Sequence, residues 1–285
     1  MLNTATILQN STSVAIGGFD GMHIGHQELF HHLDQNGVIV VINTGYANLT
    51  PSHFRQRHTD KHLHYYNLED IRHLDGAGFV ELLKKDFPKL QKIVVGYDFH
   101  FGKDRRYSYE DLKELFLKEN EDGEVVIVKE VKHHNDAVHS HKIRQKLAIG
   151  DIKGANEFLG YNYTICGKKI TGQGIGAKEL VATINLEAKE FLVPKEGVYV
   201  TTTRIDDEEH FHPSVSFIGH RVSTDGSFAI ESHILDGKVV CEEKAEISFI
   251  AYIRENKKFE SMDELRDAIK KDIAVANREL QRLEL

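Results

Sequence analysis

Cysteine is nearly missing from these 285 residues, with only Cys166 and Cys241 present. Two thiols so far apart make no metal-ligand spacing and no disulfide framework, so a reducing cytoplasm is expected. No apolar run approaches the ~20 residues of a membrane-spanning helix, so no membrane partner is expected. The opening stretch MLNTATILQNSTS lacks the basic flank and apolar core of a secretory signal. Positive charge is also short. Lysine and arginine number 36 against 44 aspartates and glutamates, a net charge of −8. That balance argues against a nucleic-acid-binding surface. There is no internal repeat and no low-complexity tract.

What is present suits two globular domains. The length allows each to bury its own core, and 40% hydrophobic with 28% charged residues describes a soluble chain. The stretch VAIGGFDGMHIGHQELF, residues 14–30, organises the first. Val14-Ala15-Ile16 reads as a buried strand. A glycine-rich turn follows, Gly17-Gly18-Phe19-Asp20-Gly21, then His23 and His26 at the start of a helix. Strand, glycine turn and helix N-terminus together bind phosphate, because free amides and the helix dipole point at the anion. Gly25 leaves room between the imidazoles, which donate to phosphoryl oxygens, more strongly if protonated.

Val38–Ile42, Ile93–Val95 and Val125–Val128 read as further buried strands, with helices between them. Residues 44–64 are polar, with Pro51 and several basic residues, and read as a loop over the site. The loop after Val95 lies at the carboxyl end of a parallel strand, where such sheets bind ligands. Of the eighteen histidines, pairs such as His62 and His64 or His133 and His134 read as solvated. Residues 1–160 therefore read as a doubly wound α/β domain with a parallel sheet. From Thr164 the signals change to closely spaced β-branched strands with Asp225-Gly226 and Asp236-Gly237 turns. Residues 161–285 read as a small antiparallel β-barrel ending in an amphipathic helix that starts at a capping box, Ser261 to Glu264.

The run from Gly17 to His26, Gly-x-Phe-Asp-Gly-x-His-x-Gly-His, resembles the nucleotide-binding motif of the bacterial bifunctional riboflavin kinase/FAD synthetase family. The resemblance covers nearly the whole chain, as a divergent member. It implies that the first half is an adenylyltransferase that makes FAD from FMN and ATP. Gly17, Gly18, Phe19, Asp20, Gly25 and Ser140 would then bind nucleotide, with His23, His26 and Arg144 on the phosphates. The segment Asp98-Phe99-His100-Phe101-Gly102, with Arg105, resembles the family's flavin-pocket segment, although Asp98 alone reads equally as a turn residue. His139 and His141 stand where the family has serine and threonine, and Tyr107-Ser108 where it has Gly-Asp. In the second half, Thr183 and Asn185 resemble the riboflavin kinase residues that hold Mg²⁺ and ATP phosphates. Gly172 and Gly176 would cradle phosphate. Glu231 would accept the proton of the ribityl hydroxyl, although alone it reads as an outward-facing strand residue. Ala177, Leu180 and Ala182 depart from the family. These departures leave open a chain with one activity, or a flavin-binding regulatory protein. Protein partners are not legible.

Overall fold

The computed structural model describes residues 3–118, 120–171, 182–206, 208–222, 226–237 and 239–283. The chain divides into two compact units, Met1–Ser140 and His141–Leu285.

The first unit carries strands β1 (Ser13–Gly17), β2 (Val38–Asn43), β3 (His62–Asn67), β4 (Lys92–Gly96), β5 (His100–Phe101), β6 (Tyr107–Ser108), β7 (Glu124–Val128), β8 (Lys132–His133) and β9 (Asp136–Ala137). Its helices are α1 (Thr4–Asn10), α2 (Ile24–His31), α3 (Leu68–Ile71), α4 (Gly76–Asp86) and α5 (Tyr109–Lys118). The main sheet has the order β3-β2-β1-β4-β7, all parallel. The apolar runs are continuous because both faces are covered. Val14, Ile16, Val38, Val40, Ile93 and Val95 pack with Phe79 and Leu83 of α4 and Phe116 of α5. Their alternates Ala15, Ile39, Val41 and Val94 pack with Leu29 and Phe30 of α2. This is the doubly wound parallel sheet expected. After β3 the chain crosses back over β1 to β4, so the carboxyl ends of β1 and β4 flank the switch point where such sheets bind ligands.

One expectation needs correction. The polar segment 44–64 is not loop throughout. Ser52–His58 forms 3₁₀ turns, and His62 begins β3, paired with Val38. His64 is half-buried, with its ring edge-on to Tyr66 at 4.8 Å and to Phe87 at 5.6 Å. β3 is an edge strand, whose only fully covered residues are Leu63 and Tyr66. Its apolar signal is therefore weak, while histidine and tyrosine fit its half-covered faces.

The second unit starts within α6 (Ser140–Ile149), continues through α7 (Ile152–Leu159), and closes a six-stranded antiparallel barrel. Its strands are β10 (Thr164–Ile170), β11 (Ile184–Glu187), β12 (Gly197–Ile205), β13 (His212–His220), β14 (Phe228–Ile234) and β15 (Lys244–Arg254), in the order β10-β11-β14-β13-β12-β15. Helix α8 (Met262–Gln281) is capped by the Ser261 hydroxyl, which accepts from the Glu264 amide, and Ala276 and Leu280 pack with Val200 and Ala251. Five buried hydroxyls form a chain across three strands. Ser216 meets Thr201 at 2.8 Å, Thr201 meets Ser214 at 2.8 Å, Ser214 meets Thr203 at 2.9 Å, and Thr203 meets Ser232 at 2.7 Å.

The strand texture begins after Gly160, a left-handed helix cap with φ of 80°. The compact unit begins twenty residues earlier, because α7 packs on β15. Asn156 fixes that contact, donating to the Phe249 carbonyl at 2.9 Å and accepting from the Tyr163 amide at 2.8 Å. Phe158 and Leu159 are buried, each contributing roughly 1.5–3 kcal/mol of transfer free energy. A fragment of residues 141–285 is therefore expected to melt cooperatively and well above a fragment of residues 161–285. Equal midpoints in circular dichroism would show that α7 adds nothing to the barrel.

Candidate active sites

β1 ends at Gly17, and the turn to α2 uses three left-handed residues, Phe19 (φ 45°), Gly21 (φ 87°) and Met22 (φ 39°). Neighbouring segments hold this shape. The Asp20 Oδ1 accepts from the amides of Leu49 and Thr50, each at 3.0 Å. The Gly21 amide donates to Thr50 Oγ1 at 2.8 Å, and Ser140 Oγ donates to the Asp20 carbonyl at 2.7 Å. The Phe19 ring is buried against Phe30 and His26. Phe19 and Asp20, expected at the nucleotide, thus build the turn itself. Gly18 is exposed, and a side chain there would meet only the Ile42 carbonyl, at 4.0 Å.

His23 is the N-cap of α2. Its Nδ1 accepts from the His26 amide at 3.3 Å, which puts the ring proton on Nε2. The His26 ring stacks on it with centroids 3.5 Å apart and planes 21° apart. Gly25 makes the stack possible, since a Cβ there would lie 3.2 Å from the His23 ring. Burial, aided by the field of His139, lowers the pKa of His23 to about 3. Burial also holds His26 well below the usual range, with His23, Arg55 and His139 adding to the effect. Both rings are neutral at pH 7, which corrects the expectation that protonation strengthens them. His26 Nδ1 is buried without a hydrogen-bond partner.

Sequence reading missed Arg55. It sits in the 3₁₀ segment only 2% exposed, donating from Nε to the Phe19 carbonyl at 3.2 Å and from Nη1 to the Ser52 carbonyl at 3.4 Å. Nothing but its place in a basic, polar stretch marks it.

β4 lies beside β1, so the Gly96-Tyr97-Asp98 turn adjoins the phosphate turn. Asp98 is exposed. Tyr97 donates to Glu130 Oε1 at 3.0 Å, and His139 Nε2 lies 3.6 Å from the same oxygen. The tyrosine hydroxyl, foremost, holds Glu130 below the usual carboxylate range. Phe99 is half-buried and stacked on the buried Phe101 at 5.7 Å. Arg105 is exposed on the following turn, at φ 54°. Tyr107 fits because Gly76 and Gly102 face it; a Cβ on either would lie 2.6 Å from its ring. The structure thus gathers Gly17–His26, the Asp98 turn and Ser140. Arg144 follows one helical turn after Ser140 on α6.

In the barrel, Asn185 and Glu231 are direct partners across β11 and β14, and Thr183 stands two residues before Asn185. Asn185 Nδ2 donates to Thr183 Oγ1 at 3.4 Å. A fourth residue, Arg221, was not expected. It donates to Glu231 Oε1 from Nε at 2.9 Å and Nη2 at 2.6 Å, and from Nη2 to Asn185 Oδ1 at 2.6 Å. Along β14, Ile230, Ser232 and Ile234 are buried, while Phe228 is exposed. Glu231 is thus half-buried beside a guanidinium, where the sequence alone reads an outward-facing strand residue. Gly172, Gly176, Ala177, Leu180 and Asp225 lie outside the described residues.

Two domain families match the chain. The FAD synthetase family matches residues 6–42 and 51–142, and the riboflavin kinase family matches residues 159–280. The bifunctional riboflavin kinase/FMN adenylyltransferase of Pseudomonas fluorescens is 31% identical over 92% of this chain and 90% of that protein. The Listeria monocytogenes protein of the same name is 29% identical over 91% of this chain and 89% of its own. A crystal structure described as a macrolide-efflux protein from Streptococcus pneumoniae covers 97% of both chains with a TM-score of 0.81 and 28% identity. Among the described residues, no helix is long and apolar enough to cross a membrane.

The neutral histidines make stability depend on pH. Unfolded, each takes up a proton near pH 6.5; folded, His23 does so only at about pH 3 and His26 well below 6.5. Their contribution is full above about pH 6.5 and is lost as pH falls, by about 1.4 kcal/mol per unit for each group. His58, lowered to about 4 chiefly by burial, adds the same sign. The urea midpoint of the first unit should fall between pH 7.5 and 5, and His26→Asn should reduce that slope. A midpoint that stays flat across this range would mean that the folded rings carry protons.

Proposed function

Since the chain belongs to the bifunctional riboflavin kinase/FMN adenylyltransferase family, we propose which of its residues carry each reaction. The protein is a transferase that phosphorylates riboflavin to FMN and adenylylates FMN to FAD, with ATP and flavins as substrates. Our reading assigns adenylylation to residues 1–160 and phosphorylation to residues 161–285, in the cytoplasm and with no nucleic-acid partner.

In the adenylyl site, a phosphate oxygen of FMN attacks the α-phosphorus of ATP and pyrophosphate leaves. The task is alignment and charge stabilisation, not covalent catalysis. The observation that carries the reading is the neutral, stacked pair at the N-terminus of α2. His23 presents Nε2–H as a fixed donor, as a neutral imidazole at a helix N-terminus can. Gly17, Gly18 and Gly25 keep the turn open to phosphate, Phe19 and Asp20 hold its shape, and Ser140 and Arg144 are assigned to the anion. Asp98, Phe99 and Arg105 would meet the flavin, with Phe101 backing Phe99.

In the barrel, Glu231 accepts the proton of the ribityl hydroxyl as that oxygen attacks the γ-phosphate. Both bonds from Arg221 fall on Oε1, which leaves Oε2 to take that proton. Thr183 and Asn185 would hold Mg²⁺. Their oxygens are hard donors, and Asn185 Oδ1 already accepts from a cationic group in Arg221. Mg²⁺ would neutralise charge on the phosphates.

Two substitutions test the assignment by product analysis from riboflavin, ATP and Mg²⁺. His26→Ala should nearly abolish FAD formation from FMN while FMN formation persists; FAD output within a few-fold of the parent would sink the phosphate role. Glu231→Gln keeps size and hydrogen bonding but cannot take the proton. It should lower FMN formation by ~10²-fold or more and leave adenylylation unchanged. Parent-like phosphorylation would reduce Glu231 to a partner of Arg221.

A further inference from the structure

A site that handles ATP and releases pyrophosphate needs positive charge, yet both histidines of the first unit's motif are neutral. The buried charge beside them is Arg55. Buried arginines are ordinarily paired with carboxylates. Arg55 is 2% exposed, and among the described residues no carboxylate pairs with it. It donates instead to two backbone carbonyls, of Phe19 and Ser52. The remaining nitrogen, Nη2, is buried and unpartnered, as is Nδ1 of His26. The two side chains meet the same residue, since Arg55 bonds the Phe19 carbonyl and His26 packs on the Phe19 ring at 5.2 Å. The segment that carries Arg55 is strapped to the phosphate turn. Leu49 and Thr50 grip Asp20, and Gly21 grips Thr50.

A strut for the turn would not need a cation. A neutral donor would satisfy the Phe19 carbonyl without the desolvation cost of a buried charge. We propose that Arg55 is a positioning residue of the adenylyl-transfer site whose uncompensated charge draws the phosphates of ATP and the departing pyrophosphate onto the glycine turn. The inference rests on the adenylyl-site reading above. Low dielectric beneath the turn lets the charge act without direct contact. The field also helps to keep His26 a neutral donor.

The test uses the full chain and inorganic pyrophosphate with Mg²⁺, followed by calorimetry, with the KM and kcat for ATP in FAD formation alongside. Arg55→Gln keeps a donor for the Phe19 carbonyl and removes the charge. Arg55→Met removes both, and Arg55→Lys keeps the charge without the fork. The expected result is that Gln and Met weaken pyrophosphate binding by on the order of 10²-fold and raise the KM for ATP, while Lys stays within ~10-fold of the parent. Neutral variants that bind like the parent would overturn the inference, as would a lysine variant no better than the glutamine one. If neither neutral variant folds, Arg55 is a strut and the inference fails. Pyrophosphate binding by the parent that is indifferent to His26→Ala would bring down the adenylyl-site reading itself, and this inference with it.

Discussion

The contact on which the first unit's glycine turn depends is the face-to-face seating of His23 and His26 at the start of α2. One ring caps the helix and is buried, and the other lies on it, half-buried. That arrangement dictates much around it. Position 25 favours glycine, because a Cβ would press on the first ring at 3.2 Å and push it back. Phe19 must fold back at positive φ to wall off the second. The strained turn then needs outside support, which Asp20 draws from residues 49 and 50 and Ser140 supplies from beyond β9. A motif of ten residues is therefore held by segments up to 120 positions away.

The two units manage charge in opposite ways. The first keeps a guanidinium under its glycine turn, bonded to backbone carbonyls, and lets its histidines stay neutral. The second joins an acid, an amide and a guanidinium in one tight group, with Arg221 between Asn185 and Glu231. A buried unpaired cation is costly and favours an incoming anion. A satisfied ion pair has its charges matched, and here both bonds from Arg221 fall on a single oxygen of Glu231. The first group carries an unmatched charge, and the second has its charges matched.

Sequence alone made the architecture legible, because continuous apolar runs and alternating β-branched strands are local signals that burial enforces. Residues 93–95 and 125–128 were readable as strands for that reason. β3 was not, since an edge strand of histidines and tyrosines carries no apolar run. The motif residues of the first site were readable because glycine and histidine spacing is tied to a particular turn. Their division of labour was not. Whether Asp20 meets a ligand or the amides of residues 49 and 50 depends on a partner 30 positions away. Arg55 and Arg221 were invisible for the same reason: an arginine looks alike in a solvated loop and under a phosphate turn until its partners are known. The departure at Tyr107 was legible, but its accommodation by Gly76 and Gly102 required the fold.

The hydroxyl chain within the barrel bears on how this domain can change over time. Each inner member, Thr201, Ser214 and Thr203, serves two neighbours, so replacing one by an apolar side chain takes a hydrogen bond from two other buried hydroxyls. The penalty belongs to the survivors, and it would vanish if all five were exchanged together for well-packed apolar groups. Such a seam resists single steps although its final apolar alternative is physically sound. The barrel's interior is thus expected to drift slowly at these five positions among lineages whose surface loops diverge freely.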